Sequence, residues 1–113
     1  MPAENCTVVD VGGYVGGKTA AQLEAALQPL ITGRQPRHVV LDLADVTEMS
    51  SAGLRVLISA IKQARAGDQG DVRLAAPSLR VVEVLDLAGL AKVIGIYDSR
   101  ATAVASFQRA PAA

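Results

Sequence analysis

The middle of the chain carries the apolar run Val39-Val40-Leu41, closed by Asp42-Leu43. It is β-branched, of strand length and without helical period, which predicts a buried strand over 37–43. Asp45-Val46-Thr47-Glu48-Met49 then crosses a turn. Beyond Ser50-Ser51-Ala52-Gly53, the residues Leu54, Leu57, Ile58 and Ile61 recur at i, i+3, i+4 and i+7. That spacing is one face of a helix, with Arg55, Ser59 and Lys62 on the other, and the helix should run to Arg65. Two hydroxyls, Ser50 and Ser51, fall where the strand's carboxyl edge meets the helix's amino end. Free backbone N–H groups and a partial positive charge suit a serine cap there and tolerate a phosphate.

The flanking pattern repeats the alternation. Cys6 to Val11 alternates enough for a half-buried first strand. Gly12 to Thr19 is ambiguous: Tyr14 and Val15 either continue that strand past a glycine kink or belong to a loop. Thr19 should cap a helix to about Ile31, with Leu23, Leu27, Leu30 and Ile31 inward and a kink or early stop at Pro29. Gly33 to Pro36 reads as a turn, and Gly67-Asp68-Gln69-Gly70 breaks the central helix. Asp71 to Ala76 is the next strand. Pro77-Ser78 opens a helix over Leu79–Leu87, which Gly89 ends and Leu90 staples. Val93 to Tyr97 reads as a last strand. Asp98-Ser99 starts a closing helix with Val104 and Phe107 inward, and Ala110 to Ala113 should fray. Strands alternating with helices imply an α/β domain with right-handed crossovers: four or five mostly parallel strands and about four helices. Residues 1–113 read as one domain with a core over about 6–108.

Composition narrows the function. One hundred and thirteen residues, half of them apolar, suffice for one real core. With one Phe, two Tyr and no Trp, the chain lacks the aromatic platforms on which nucleic-acid readers stack bases. Eleven basic and eleven acidic residues cancel, so no global field draws it to nucleic acid. The single Cys6 excludes an intramolecular disulfide and suits a reducing cytoplasm. Residues 1–5 do not resemble a signal peptide, and no apolar run approaches the roughly 18 residues of a membrane helix. The expectation is a cytoplasmic protein without membrane insertion. His38 has no second His or Cys to complete a zinc set, so no metal is expected and it reads as a strand-edge residue. A phospho-accepting aspartate site is equally unsupported: Asp10 stands alone after the first strand, and Ile96-Tyr97-Asp98 has no lysine.

Two motifs compete for the remaining chemistry. Gly12-x-x-x-x-Gly17-Lys18-Thr19 matches the Walker A pattern after a strand and before a helix, and Val39-Val40-Leu41-Asp42 can pose as Walker B. Against a nucleotide-binding protein stand the chain's length and the strand preference of Tyr14 and Val15, which would leave too short a loop to wrap two phosphates. The second motif is broader. Val39 to Leu43, Val46-Thr47 and Met49-Ser50-Ser51-Ala52-Gly53-Leu54 together resemble the signature of the STAS domain, the sulfate-transporter and anti-sigma-factor-antagonist family. Gly13-Tyr14-Val15 before Thr19-Ala20, Leu74-Ala75-Ala76-Pro77, Leu85 through Leu90, and Ile96-Tyr97-Asp98-Ser99 fit the same order, so the resemblance spans roughly residues 7–107.

The resemblance implies a non-catalytic, cofactor-free module. Ser51 matches the serine that an anti-sigma factor kinase phosphorylates and a phosphatase restores in bacterial anti-sigma factor antagonists, with Ser50 the alternative hydroxyl. The unphosphorylated form binds the anti-sigma factor and so regulates transcription. The partner surface is then expected to include Ser50, Ser51, Ala52, Gly53, Arg55, Ser59, Lys62, Tyr14 and Gly16. Ser50 and Gly16 stand where the family's prototypes carry Asp. A second reading within the family is a subunit that docks on an ABC-type transporter ATPase without being phosphorylated. Family members commonly open with two antiparallel strands before the first helix, and only five residues precede Cys6. The first strand is therefore expected to be an edge through which two chains pair as a weak homodimer.

Overall fold

The computed structural model describes residues 6–32, 38–66 and 70–108. Its elements run β1 (Thr7–Val15), α1 (Lys18–Ile31), β2 (His38–Met49), α2 (Ser51–Ala66), β3 (Asp71–Ala75), α3 (Leu79–Leu87), β4 (Ile96–Tyr97) and α4 (Arg100–Gln108). The four described strands form one parallel sheet in the order β1-β2-β3-β4. The turn expected over Gly33–Pro36, the strand start at Arg37, the first three residues of the Gly67–Gly70 break and the frayed Ala110–Ala113 lie outside the described residues.

Side chains alternate across the sheet, as the period of two demands. Val39, Leu41 and Leu43 of β2 and Val72 and Leu74 of β3 join the larger core beneath α1, α2 and α3. Val40 and Ala75 point the other way, into a smaller cluster with Cys6, Val8 and Ala103 of α4. Three helices therefore cover one face and one helix the other.

Four expectations are corrected. The central strand does not turn at Asp45 but runs on to Met49. It does so because β1 also continues, past Gly12 and Gly13 to Val15, and supplies a partner along the whole length. Register shifts between Asp10 and Gly12 and between Gly13 and Tyr14 absorb the mismatch, with Gly13 at φ +73°. Val46 and Met49, buried at the strand's end, reward the extension. The last strand, expected over Val93–Tyr97, shrinks to Ile96–Tyr97, because Val93 and Ile94 turn back to donate their N–H groups to the Leu90 carbonyl. Thr19 is not the cap of α1; Gly17, at φ +52°, holds that position. The inward stripe of α2 is Gly53, Leu57, Ala60, Ile61 and Ala64, while Leu54 and Ile58 are only half-buried. Ala60 faces Leu27 and Ile31 of α1, and Gln28 and Gln63 join the two helices by a side-chain hydrogen bond of 3.4 Å.

Other expectations hold. The helix α1 ends at Ile31 with Leu23, Leu27 and Ile31 buried, although it runs through Pro29 rather than stopping there. Ser78 caps α3 by accepting from the Val81 N–H at 3.3 Å. At its other end Gly89 sits at φ +75°, donating to the Asp86 carbonyl, while Leu90 donates to Leu85. That pair of bonds is a Schellman closure with an apolar contact behind it. The reading of His38 as a strand-edge residue is a further correction: it opens β2, which has a neighbour on both sides, and its ring stacks on Phe107 with centroids 4.4 Å apart.

Candidate functional site

The strands β1 and β2 end together, Val15 opposite Met49. Ser50 joins them, its N–H donating to the Val15 carbonyl at 2.9 Å, while its own carbonyl accepts from Leu54 at 3.0 Å as α2 begins. The Ser50 Oγ accepts from the Gly53 N–H at 3.4 Å. Ser50 is thus the capping residue, and Ser51 is the first residue of α2. The expectation that Ser51 itself caps the helix is corrected by this geometry. Ser51 is exposed, and its hydroxyl has no hydrogen-bond partner among the described residues.

Close packing fixes the corner. A Cβ on Gly53 would lie 2.8 Å from Met49 Cγ and 2.9 Å from the Val15 carbonyl oxygen, so only glycine lets α2 start this near the strand ends. A Cβ on Gly16 would meet Ser50 Oγ at 2.5 Å and Tyr14 Oη at 2.6 Å. The space that a side chain at position 16 would take is therefore filled by the phenol of Tyr14, a residue 52 % exposed whose ring is laid across the glycine. Thr19 locks the connection from beneath: its Oγ1 accepts from the Gly16 N–H at 2.9 Å and lies 2.7 Å from the Tyr14 carbonyl. Glu48, opposite Tyr14 in register, turns away from the Gly16–Ser50 contact and pairs with Arg80 of α3.

The Walker-like segment does not form a phosphate cradle. Gly12 to Val15 are strand residues paired with β2, which leaves Gly16 and Gly17 as the whole connection to α1. The Thr19 hydroxyl, which would face a magnesium ion, is occupied by backbone groups. Asp42, the Walker B candidate, accepts from Arg100 at 2.8 Å and from the Ala44 N–H at 3.0 Å. Burial alone would raise its pKa, but these two donors outweigh burial and hold the carboxyl below its ordinary value. Among the described residues no group of three His, Cys, Asp or Glu side chains could hold a metal ion, and no helix is long and apolar enough to cross a membrane.

The remaining expected residues lie along α2. Ala52 is half-buried behind Ser51, and Arg55 and Lys62 are exposed with Ser59 half-buried between them. Together with Ile58 and Gln63 they line a shallow groove of about 410 Å³. Sequence reasoning missed the second concavity beyond it, about 270 Å³, where Ile61 and Arg65 of α2 face Leu90, Val93 and Ile94. It exists because the segment expected to be a strand is a turn, and the 54 % exposure of Val93 is its outward sign. Also missed were Thr19 as the loop's lock, a local contact read instead as a helix cap, and Arg80 as the partner of Glu48, 32 residues away, which no local pattern encodes.

A model of the STAS domain matches residues 3–103. A Bordetella bronchiseptica protein, BtrV, described as a candidate anti-sigma factor antagonist, is 38 % identical over 98 residues, covering 87 % of this chain and 83 % of that one. The anti-sigma F factor antagonist of Paenibacillus polymyxa is 27 % identical over 101 residues, 89 % and 86 % of the two chains. Among solved structures, the anti-sigma factor antagonist SpoIIAA in its unphosphorylated form superposes with a TM-score of 0.80 at 17 % identity, covering 99 % of this chain and 96 % of that one. By its fold, its serine corner and the extent of these matches, the chain belongs to the STAS domain family.

Proposed function

We propose that the protein is an anti-sigma factor antagonist: a non-catalytic cytoplasmic module that binds an anti-sigma factor when Ser51 is free and lets go when a serine kinase has phosphorylated it, a phosphatase closing the cycle. The observation that carries this reading is the division of labour between two neighbouring hydroxyls. Ser50 holds the helix start, while Ser51 is exposed and bonded to nothing among the described residues. A phosphate on Ser51 adds close to two negative charges at the amino end of a helix, where it does not unfold the structure. Its effect then falls on the partner, through bulk and like-charge repulsion. The surface that meets the partner comprises Ser51, the exposed Tyr14 over Gly16, and Arg55, Ser59 and Lys62 along α2.

The test is incubation with the anti-sigma factor kinase and ATP, followed by mass spectrometry. The phosphate is expected on Ser51, with Ser51→Asp weakening anti-sigma factor binding and Ser51→Ala binding regardless of kinase. Phosphate on Ser50 alone would move the site to the wrong hydroxyl. None at all would favour the other reading within the family, a subunit docked on a transporter ATPase; Ser50 and Gly16 in place of two carboxylates support that alternative. Calorimetric titration with magnesium-ATP is expected to show no binding, with or without Lys18→Ala.

A further inference from the structure

Ser51, Arg55, Ile58 and Lys62 stand at i, i+4, i+7 and i+11 on α2, a single stripe along one side of the helix. Ser51, Arg55 and Lys62 are exposed. Arg55 differs from every other arginine of the described residues. Arg65, Arg73, Arg80 and Arg100 are each paired with a carboxylate, whereas Arg55 has none among the described residues. Its own helix offers none either, since α2 contains no Asp or Glu. At the nearby corner Ser50 and Gly16 are uncharged, and the acid beside them, Glu48, is held by Arg80. Arg55 is thus an unmatched guanidinium one helical turn beyond the exposed Ser51, and it forms one wall of the groove with Ile58 and Lys62.

Resting on Ser51 as the modified residue, we propose that its phosphate is captured in cis by Arg55, so that phosphorylation also withdraws this cation from the partner-binding groove of α2. The order is the favourable one, an anion at the amino end with the cation four residues on. Arginine's planar fork suits a phosphate, and no carboxylate of the helix has to be displaced first. In the free state the stripe presents two cations, Arg55 and Lys62, to a partner whose matching surface is acidic. In the modified state the phosphate neutralises one of them and adds net negative charge beside the other. The switch then acts over two helical turns rather than at one hydroxyl.

The experiment uses the full chain with phosphoserine installed at position 51 during synthesis, so no kinase is required. The phosphate's second ionisation is followed by phosphorus NMR across pH. A neighbouring cation favours the dianion, so the midpoint should lie below the value of about 6 for an unassisted phosphoserine. Arg55→Gln should raise it by about 0.4 pH unit, the size of an exposed i, i+4 pair, and Arg55→Lys should restore most of that. The other charged groups at the corner are Lys18 at the start of α1 and the Arg80–Glu48 pair. Lys18→Gln and Arg80→Gln should leave the midpoint in place. An unchanged midpoint in Arg55→Gln, or a larger displacement in Lys18→Gln, overturns the capture. Failure of the parent reading would show separately, as absence of phosphate on Ser51 after exposure to kinase, whatever the titration gives.

Discussion

The two faces of the sheet are held by different physics. Under α1, α2 and α3 lies an aliphatic core in which Leu27, Leu41, Leu43, Leu57, Leu74 and Leu85 are all but fully buried. Across the sheet, α4 covers a smaller cluster of Cys6, Val8, Val40 and Ala75 with Ala103, and its larger residues, Val104 and Phe107, stay half-buried. Polar groups fasten it instead. Arg100 reaches Asp42 and Asp10 on adjacent strands. Arg73 lies 3.9 Å over the Phe107 ring and donates to Ser106 at 2.8 Å, and His38 stacks on Phe107. The first face draws its stability from buried area, which is indifferent to pH and weakly sensitive to salt. The second depends on charges, which are neither. The serine corner belongs to the first face, since α2 is anchored by that core. The partner surface is therefore expected to stay folded under conditions that loosen α4.

The largest expected effect tests that contrast directly. Leu57→Ala, at a fully buried site, should lower unfolding free energy in urea by about 3 kcal/mol, whereas Phe107→Ala on the second face should cost about half as much. Equal losses would break the comparison. Next comes acid. Asp42 is held below its ordinary pKa in the folded chain, so its contribution is complete above the unfolded carboxylate value and disappears as pH falls through the folded one. Asp42→Asn should cost about 1 kcal/mol at neutral pH, discounted for the half-exposed Arg100, and should flatten the acid limb of a stability–pH curve. The Leu57→Ala loss should be the same at both ends of that curve.

Smaller effects sharpen the picture at the corner. Ser50→Ala should destabilise by about 0.5–1 kcal/mol, because a cap is lost, and Ser51→Ala by only a few tenths; thermal melting of the two variants checks the order. A reversed order would return the capping role to Ser51. The smallest effect concerns β1, the edge of the described sheet, whose Val8 faces one core and Val9 and Val11 the other. With both faces covered, pairing of two chains there would use backbone groups alone, so we expect a weak homodimer. Sedimentation that reports only monomer at high concentration would end that idea and leave the serine switch intact.

What was legible in the sequence was local. The apolar stripe of α1, the Ser78 cap and Gly89 closure of α3, the parallel α/β alternation and the serine pair at a strand–helix junction all follow from spacing within a few residues. What the tertiary structure decided depended on partners far along the chain. The five-residue extension of β2 beyond Ala44 exists because Gly12 to Val15 bend to meet it, a pairing across more than thirty positions. The choice of Ser50 over Ser51 as cap was settled by the Val15 carbonyl, which takes the Ser50 N–H and so fixes where the helix begins. The fastening of α4 joins Arg100 to Asp42, 58 residues apart, and no periodicity announces such a pair. Local pattern records the conformation a segment prefers; which hydroxyl is tied and which is left free is set by the donors and acceptors that folding brings beside it.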